Sequence, residues 1–174
     1  MVAPRARFAV APDPPDWCRE VTNRPKVVLV APEIPGNTGA IGRTCVALDM
    51  ELILIKPYGF ELSDKTVRRA GLDYCKHVDL TEFDTWEQFI VARQPRLDAT
   101  FFFEEFGAQS IYDVAFPENP YLVFGRETKG LPKELLVGVD EQVVNLPMRS
   151  EHIRSLNLAN TVTAVAYQVL RGAF

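Results

Sequence analysis

The 174-residue chain has few of the residues that build metal centres and covalent frameworks, with three cysteines and two histidines. Cys18, Cys45 and Cys75 are widely spaced and odd in number, so they make neither a disulfide framework nor a zinc-ligand pattern. No apolar run approaches the roughly 20 residues that cross a bilayer. Pro4, Pro12, Pro14 and Pro15 interrupt the start, where the apolar core of a secretory leader would lie. A reduced, cytoplasmic protein without a membrane partner is expected. There is no G-x-G-x-x-G dinucleotide fingerprint, no Walker A loop and no G-x-S-x-G elbow. The net charge of −4 excludes a highly basic coat for nucleic acid. It leaves room for local basic surface, because Lys65, Arg68 and Arg69 cluster, as do Arg126 with Lys129 and Arg149 with Arg154.

What is present is the composition of a globular domain, 47% apolar and 24% charged. Residues 1–24 carry four prolines without periodicity and read as an N-terminal extension; residues 25–174 read as one domain. Within it, residues 26–31, 52–55, 99–103, 121–124 and 142–146 are short apolar runs typical of buried strands, and 75–78 is a brief sixth. Helices alternate with them. Asn37 or Thr38 can cap one bearing Ile41, Cys45 and Leu48, and Asp64 can cap a basic helix over 65–70. Residues 85–93 form another helix, and Pro132 suits the first turn of one reaching Val137. In the last, Leu158, Val162, Val165 and Val169 recur on one face, with Ser155 as its expected N-cap. The alternation predicts an α/β fold, a mostly parallel sheet flanked by helices.

Ligands of such sheets sit beyond the carboxyl ends of the strands. That rule selects three loops, 33–39, 125–130 and 147–155. In the first, Gly36-Asn37-Thr38-Gly39 matches the G-x-x-G clamp of KH domains, and Arg43 follows, as a solvated helical arginine or a functional one. In the second, Gly125 marks a sharp turn or a close approach to a ligand; Glu127 is either an acceptor for loop amides or a ligand contact. The third holds Arg149, His152, Arg154, Ser155 and Asn157. His152 is the general-base candidate by chemistry, but no orienting carboxylate accompanies it except Glu151, and it reads as a surface residue.

Taken together, P-E-I-P-G-N-T-G-A-I-G-R-T (32–44), L-V-F-G-R-E-T-K-G-L-P (122–132) and N-L-P-M…R-S-L-N-L-A-N-T-V (145–162) resemble the three signature motifs of the SPOUT class of S-adenosylmethionine-dependent RNA methyltransferases. K-P-Y-G-F (56–60) and R-R-A-G-L-D-Y (68–74) resemble its small single-domain branch, which methylates the ribose 2′-hydroxyl of the wobble cytidine or uridine of tRNA. The resemblance implies a C-terminal trefoil knot through the third motif and a homodimer acting on the anticodon stem-loop, with no DNA partner. Carried over by position, it implies catalytic roles for Asn37, Arg43, Glu127 and Asn157. Contacts to S-adenosylmethionine fall on Phe103, Gly125, Leu146, Met148, Ser155 and Leu156, and RNA contacts on Lys65, Arg68, Arg69 and Arg154. Tyr167 is placed at the dimer interface or in the core. The alternatives are 2′-O-methylation of another RNA and a non-catalytic RNA-binding module.

Overall fold

The computed structural model describes residues 23–60 and 75–174. The expected basic helix over 65–70, with Lys65, Arg68 and Arg69, lies outside the described residues.

Among the described residues, seven strands form one sheet in the order β3-β2-β1-β6-β4-β7-β5. They are β1 (Lys26–Val30), β2 (Glu51–Ile55), β3 (Leu80–Phe83), β4 (Thr100–Phe103), β5 (Gln109–Ser110), β6 (Tyr121–Phe124) and β7 (Val143–Asn145). Every pairing is parallel, so the sheet is more uniform than the mostly parallel one expected. β1, β2, β4 and β6 are buried at every position. Their side chains alternate between two cores, as the two-residue period of a strand requires. Val27, Leu29, Leu52, Leu54, Leu122 and Phe124 meet α1 (Pro35–Ala47) and α3 (Leu158–Val169) through Ile41, Cys45, Val162 and Val165. Val28, Val30, Ile53, Ile55, Phe102 and Val123 face the other way, toward Phe89 of α2 (Trp86–Arg93). Burial pushes the Cys45 thiol up to about 12, so it acts as a small core hydrophobe.

Several expected boundaries move. Thr85 caps α2 by accepting from the Gln88 amide, but residues 75–77 form a 3₁₀ turn, and the strand comes later, at β3. The helix expected from Pro132 to Val137 is a 3₁₀ turn, Lys133–Leu136. Neither Asn37 nor Thr38 caps α1: the helix begins at Pro35, with Ile34 in the N-cap position and no side-chain cap from it. Gly36 and Gly39 therefore lie inside a helix, which removes the KH-type clamp. Ser155 does not cap α3 either; Asn157 does, accepting from the amides of Ala159 and Asn160.

At the amino edge of the sheet a charged cluster is buried. Glu51 is 1% exposed and Lys26 is its register neighbour on β1. Arg93 donates to both Glu51 carboxylate oxygens and, at 2.9 Å, to the Thr81 hydroxyl, which itself donates to Glu51 at 2.8 Å. Burial lowers the Lys26 pKa, opposed by Glu51. The Lys26 ammonium lies 5.1 Å from the centroid of the Tyr121 ring. Asn23 and Arg24, which the composition placed in the extension, bond at this same edge, Asn23 to Asn119 and Arg24 to Asp49 and Asp79. Removing one partner of a buried ion pair strands the other. Arg93→Ala is therefore expected to lower stability by about 3 kcal/mol. Urea unfolding checks this, and a loss well under about 1 kcal/mol would place the cluster among ordinary surface pairs.

Candidate active site

The three loops selected from the sequence converge at the carboxyl edge, because β1 and β6 are neighbours and α3 packs back on α1. Ala31, at φ 54°, turns the chain out of β1. This left-handed conformation is costly for a residue with a Cβ. The first loop then enters α1, whose N-cap residue Ile34 has no side-chain cap to give. Glu127, from the second loop, binds the chain at and just before that residue. Its carboxylate accepts from the Glu33 amide at 2.8 Å, the Ile34 amide at 3.1 Å and the Asn37 side-chain amide at 3.0 Å. Of the two readings open for Glu127, these bonds are those of an acceptor for loop amides.

The network continues into the third loop. Asn157 donates its side-chain amide to the Asn37 Oδ1 at 2.9 Å while its own Oδ1 caps α3. Both asparagines thus serve as donor and acceptor at once, which neither aspartate nor leucine can do. Asn37 is buried. Glu127, Asn37 and Asn157 form one chain of hydrogen bonds across three loops. Farther along α1, the Thr44 and Thr163 hydroxyls meet at 2.8 Å and tie α1 to α3 beside Arg43. Arg43 is exposed on α1, off the face carrying Ile41 and Cys45.

The loop 125–131 folds back on itself, with Arg126 and Gly130 exchanging backbone bonds at 3.0 and 2.9 Å. A Cβ on Gly125 would lie 2.1 Å from the Gly130 carbonyl carbon. Gly125 is thus required by its own loop, a constraint distinct from space left for a ligand. Gly130 has φ +66°, and a Cβ there would press on the Glu104 carboxylate at 2.6 Å. Glu104 accepts the Leu131 amide. Its pKa is raised, chiefly by burial, with the Leu131 bond opposing. Glu104 and Glu33 were missed in the sequence. A carboxylate directly after a buried strand was the only signal for Glu104.

Around this frame stand the positions that the resemblance assigns to the methyl donor. Phe103 and Gly125 are buried, Leu146 and Met148 half-buried, and Ser155 exposed. Leu156 is 42% exposed, beside Ile153 at 50%. Apolar side chains left partly uncovered, next to loop backbone and a hydroxyl, fit a flat heterocycle with a polar sugar. Arg154, Arg149 and His152 are exposed on the third loop. Tyr167 is 52% exposed and stacks on Phe174 at 6.0 Å, so it is not a core residue. Among the described residues no cluster of His, Cys, Asp and Glu is arranged to hold a metal, and no helix is long and apolar enough to cross a membrane.

The chain is similar over most of its length to proteins of known kind. It is 46% identical over 148 residues to a tRNA (cytidine(34)-2'-O)-methyltransferase of Burkholderia cenocepacia (strain HI2424), covering 84% of this chain and 94% of the relative. A solved structure described as giving structural insights into the 2-OH methylation of C/U34 on tRNA superposes with a TM-score of 0.79 at 42% identity, over 87% of this chain and 97% of that one. The SpoU methyltransferase AviRb from Streptomyces viridochromogenes, solved in complex with AdoMet, shares the fold, with a TM-score of 0.77 at 24% identity over 91% of this chain and 64% of that one. Residues 24–167 match the SpoU rRNA methylase family as a whole, and the chain belongs to that family.

Proposed function

We propose that the chain transfers the methyl group of S-adenosylmethionine to the ribose 2′-hydroxyl of the wobble cytidine or uridine of tRNA. One observation carries the reading: the bonded series Glu127–Asn37–Asn157 joins all three motif loops at the carboxyl edge, with Arg43 on the same helix as Asn37. The 46% identity to a tRNA (cytidine(34)-2'-O)-methyltransferase supplies the substrate class.

Bound S-adenosylmethionine supplies an electrophilic methyl on a sulfonium. Phe103, Gly125, Leu146, Met148, Ser155 and Leu156 would hold it. The protein's task is alignment, since displacement at carbon requires the ribose oxygen in line with the leaving sulfur. Glu127, Asn37 and Asn157 act by fixing the loops relative to one another. Arg43 anchors the neighbouring phosphate and stabilises negative charge developing on the 2′-oxygen. A guanidinium is a donor and a cation and a poor proton acceptor. The 2′-proton leaves to solvent.

The RNA side of the site is the anticodon stem-loop, met by Arg154 with Lys65, Arg68 and Arg69. The active form is a homodimer. Tyr167 and the 82%-exposed Phe174 support this, since they leave an aromatic pair uncovered beyond α3. The segment 145–160 threads the trefoil knot, a reading supported by its return to α1 through the bond from Asn157 to Asn37. A cytoplasmic location follows from a tRNA substrate.

The experiment supplies labelled-methyl S-adenosylmethionine and unmodified tRNA to the full chain and examines the digested nucleosides. Label in 2′-O-methylcytidine or 2′-O-methyluridine at the wobble position is expected. Label at another position or only in another RNA would replace the substrate, and donor binding without transfer to any RNA would favour the non-catalytic module. Arg43→Ala is expected to lower the transfer rate at least ~100-fold with donor affinity nearly unchanged, as for a group acting on developing charge; a matching loss of donor affinity in calorimetry would move Arg43 into the donor site. Gly125→Ala is expected to weaken donor binding about tenfold or more, because the loop 125–131 cannot close over a Cβ. Unchanged affinity would separate that loop from the donor.

A further inference from the structure

We propose that Glu33 is a positioning residue that locks the second motif loop to the start of α1, and so aligns donor and acceptor; the inference rests on the methyl-transfer reading above. Glu33 and Glu127 make an exchange. Glu127 accepts the Glu33 amide at 2.8 Å, and one oxygen of the Glu33 carboxylate accepts both the Thr128 amide at 3.1 Å and the Thr128 hydroxyl at 2.7 Å. Residues 33–34 and 127–128 are thereby joined in both directions. The Thr128 hydroxyl bond holds the Glu33 carboxyl below its usual range, with smaller help from Arg126 and Lys129.

Each half of the lock has a different load. Glu127 holds the amino end of α1, the helix that carries Arg43. Thr128 sits in the loop whose folding Gly125 permits, and Glu104 pins that loop from below through Leu131. Losing Glu33 leaves Glu127 on α1 but lets the tip of the loop rotate about it. A shift of about 1 Å between reacting groups is enough to slow a displacement ~100-fold without changing what is bound. Since a single oxygen accepts both Thr128 donors, the amide oxygen of glutamine can take the same role, and the charge itself is dispensable.

The test compares wild type with Glu33→Ala, Glu33→Gln, Thr128→Val and the double variant Glu33→Ala/Thr128→Val, all in the full chain. The readouts are methyl-transfer kinetics on tRNA, thermal midpoint and amide exchange at Ile34 and Thr128. Glu33→Ala is expected to lower kcat between about 10- and 100-fold, with both KM values within about threefold. Its thermal midpoint should stay within ~2 °C, since the bond is exposed. Glu33→Gln should recover most of the rate, Thr128→Val should fall between, and the double variant should be no slower than Glu33→Ala. An unchanged Glu33→Ala rate, a loss confined to KM, a loss that tracks the thermal midpoint, or additive single variants would each overturn the proposal. Amide exchange decides the lock even if the wild type methylates no RNA. Faster exchange at the Thr128 amide in Glu33→Ala, with the Ile34 amide and the thermal midpoint unchanged, supports it, and unchanged exchange at Thr128 removes it, while absent transfer by the wild type counts against the functional reading alone.

Discussion

The bond between the Glu127 carboxylate and the amides opening α1 is the contact on which the site depends. Ile34 occupies the N-cap position and has no side-chain oxygen to offer. A carboxylate from more than ninety residues away takes the amides of Ile34 and of Glu33 before it, and so fixes how the chain enters the helix. Hydrogen bonds to a charged group are worth about 1.5–3 kcal/mol each, and a negative group is favoured at a helix amino end. The same carboxylate orients Asn37, and Asn37 orients Asn157, which caps α3. Two helices thus take their starting points from one acidic side chain.

The two ends of the sheet solve the same problem differently. At the amino edge, Glu51, Arg93 and Thr81 pair charge with charge in a buried setting beside Lys26. At the carboxyl edge the polar chain runs through two neutral amides and one carboxylate, and its outer members stay within reach of water. The first arrangement clamps α2 and β3 onto β2. The second leaves a rim on which other groups can stand, as expected where parallel strands end and loops carry function.

The central strands were legible because burial on both faces leaves continuous apolar runs: residues 26–30 and 121–124 differ little from the expected spans. The rim loops were legible for a related reason, as polar and glycine-rich segments directly after such runs. Caps were not. Ser155 and Asn157 are both good capping residues two positions apart, and Asn157, which caps α3, is also bonded to Asn37 on another element, a contact no local pattern contains. The start of α1 was misplaced because the carboxylate that fixes its entry likewise comes from another loop. Gly125 was read as a sharp turn or a close approach to a ligand, and the backbone of its own loop at Gly130 requires the turn. The two-residue β5 is too short to carry a period. The assignment of individual residues to donor, RNA and catalysis came from the family resemblance; spacing alone reached only the loops.

The polar residues of the rim divide by what they bond. Glu33, Glu127, Asn37 and Asn157 bond to one another or to backbone, and the Glu127 oxygens already accept three donors. A carboxylate so occupied serves first as an acceptor that holds the entry to α1. Arg43, Arg154 and Ser155 are exposed, and so is the apolar Leu156. A chain that contributes a cation, a hydroxyl and apolar surface on a rigid frame is built to align and to stabilise charge. For transfer to a ribose hydroxyl this is a workable division, because a positively charged leaving sulfur makes alignment the larger share of the barrier to be lowered.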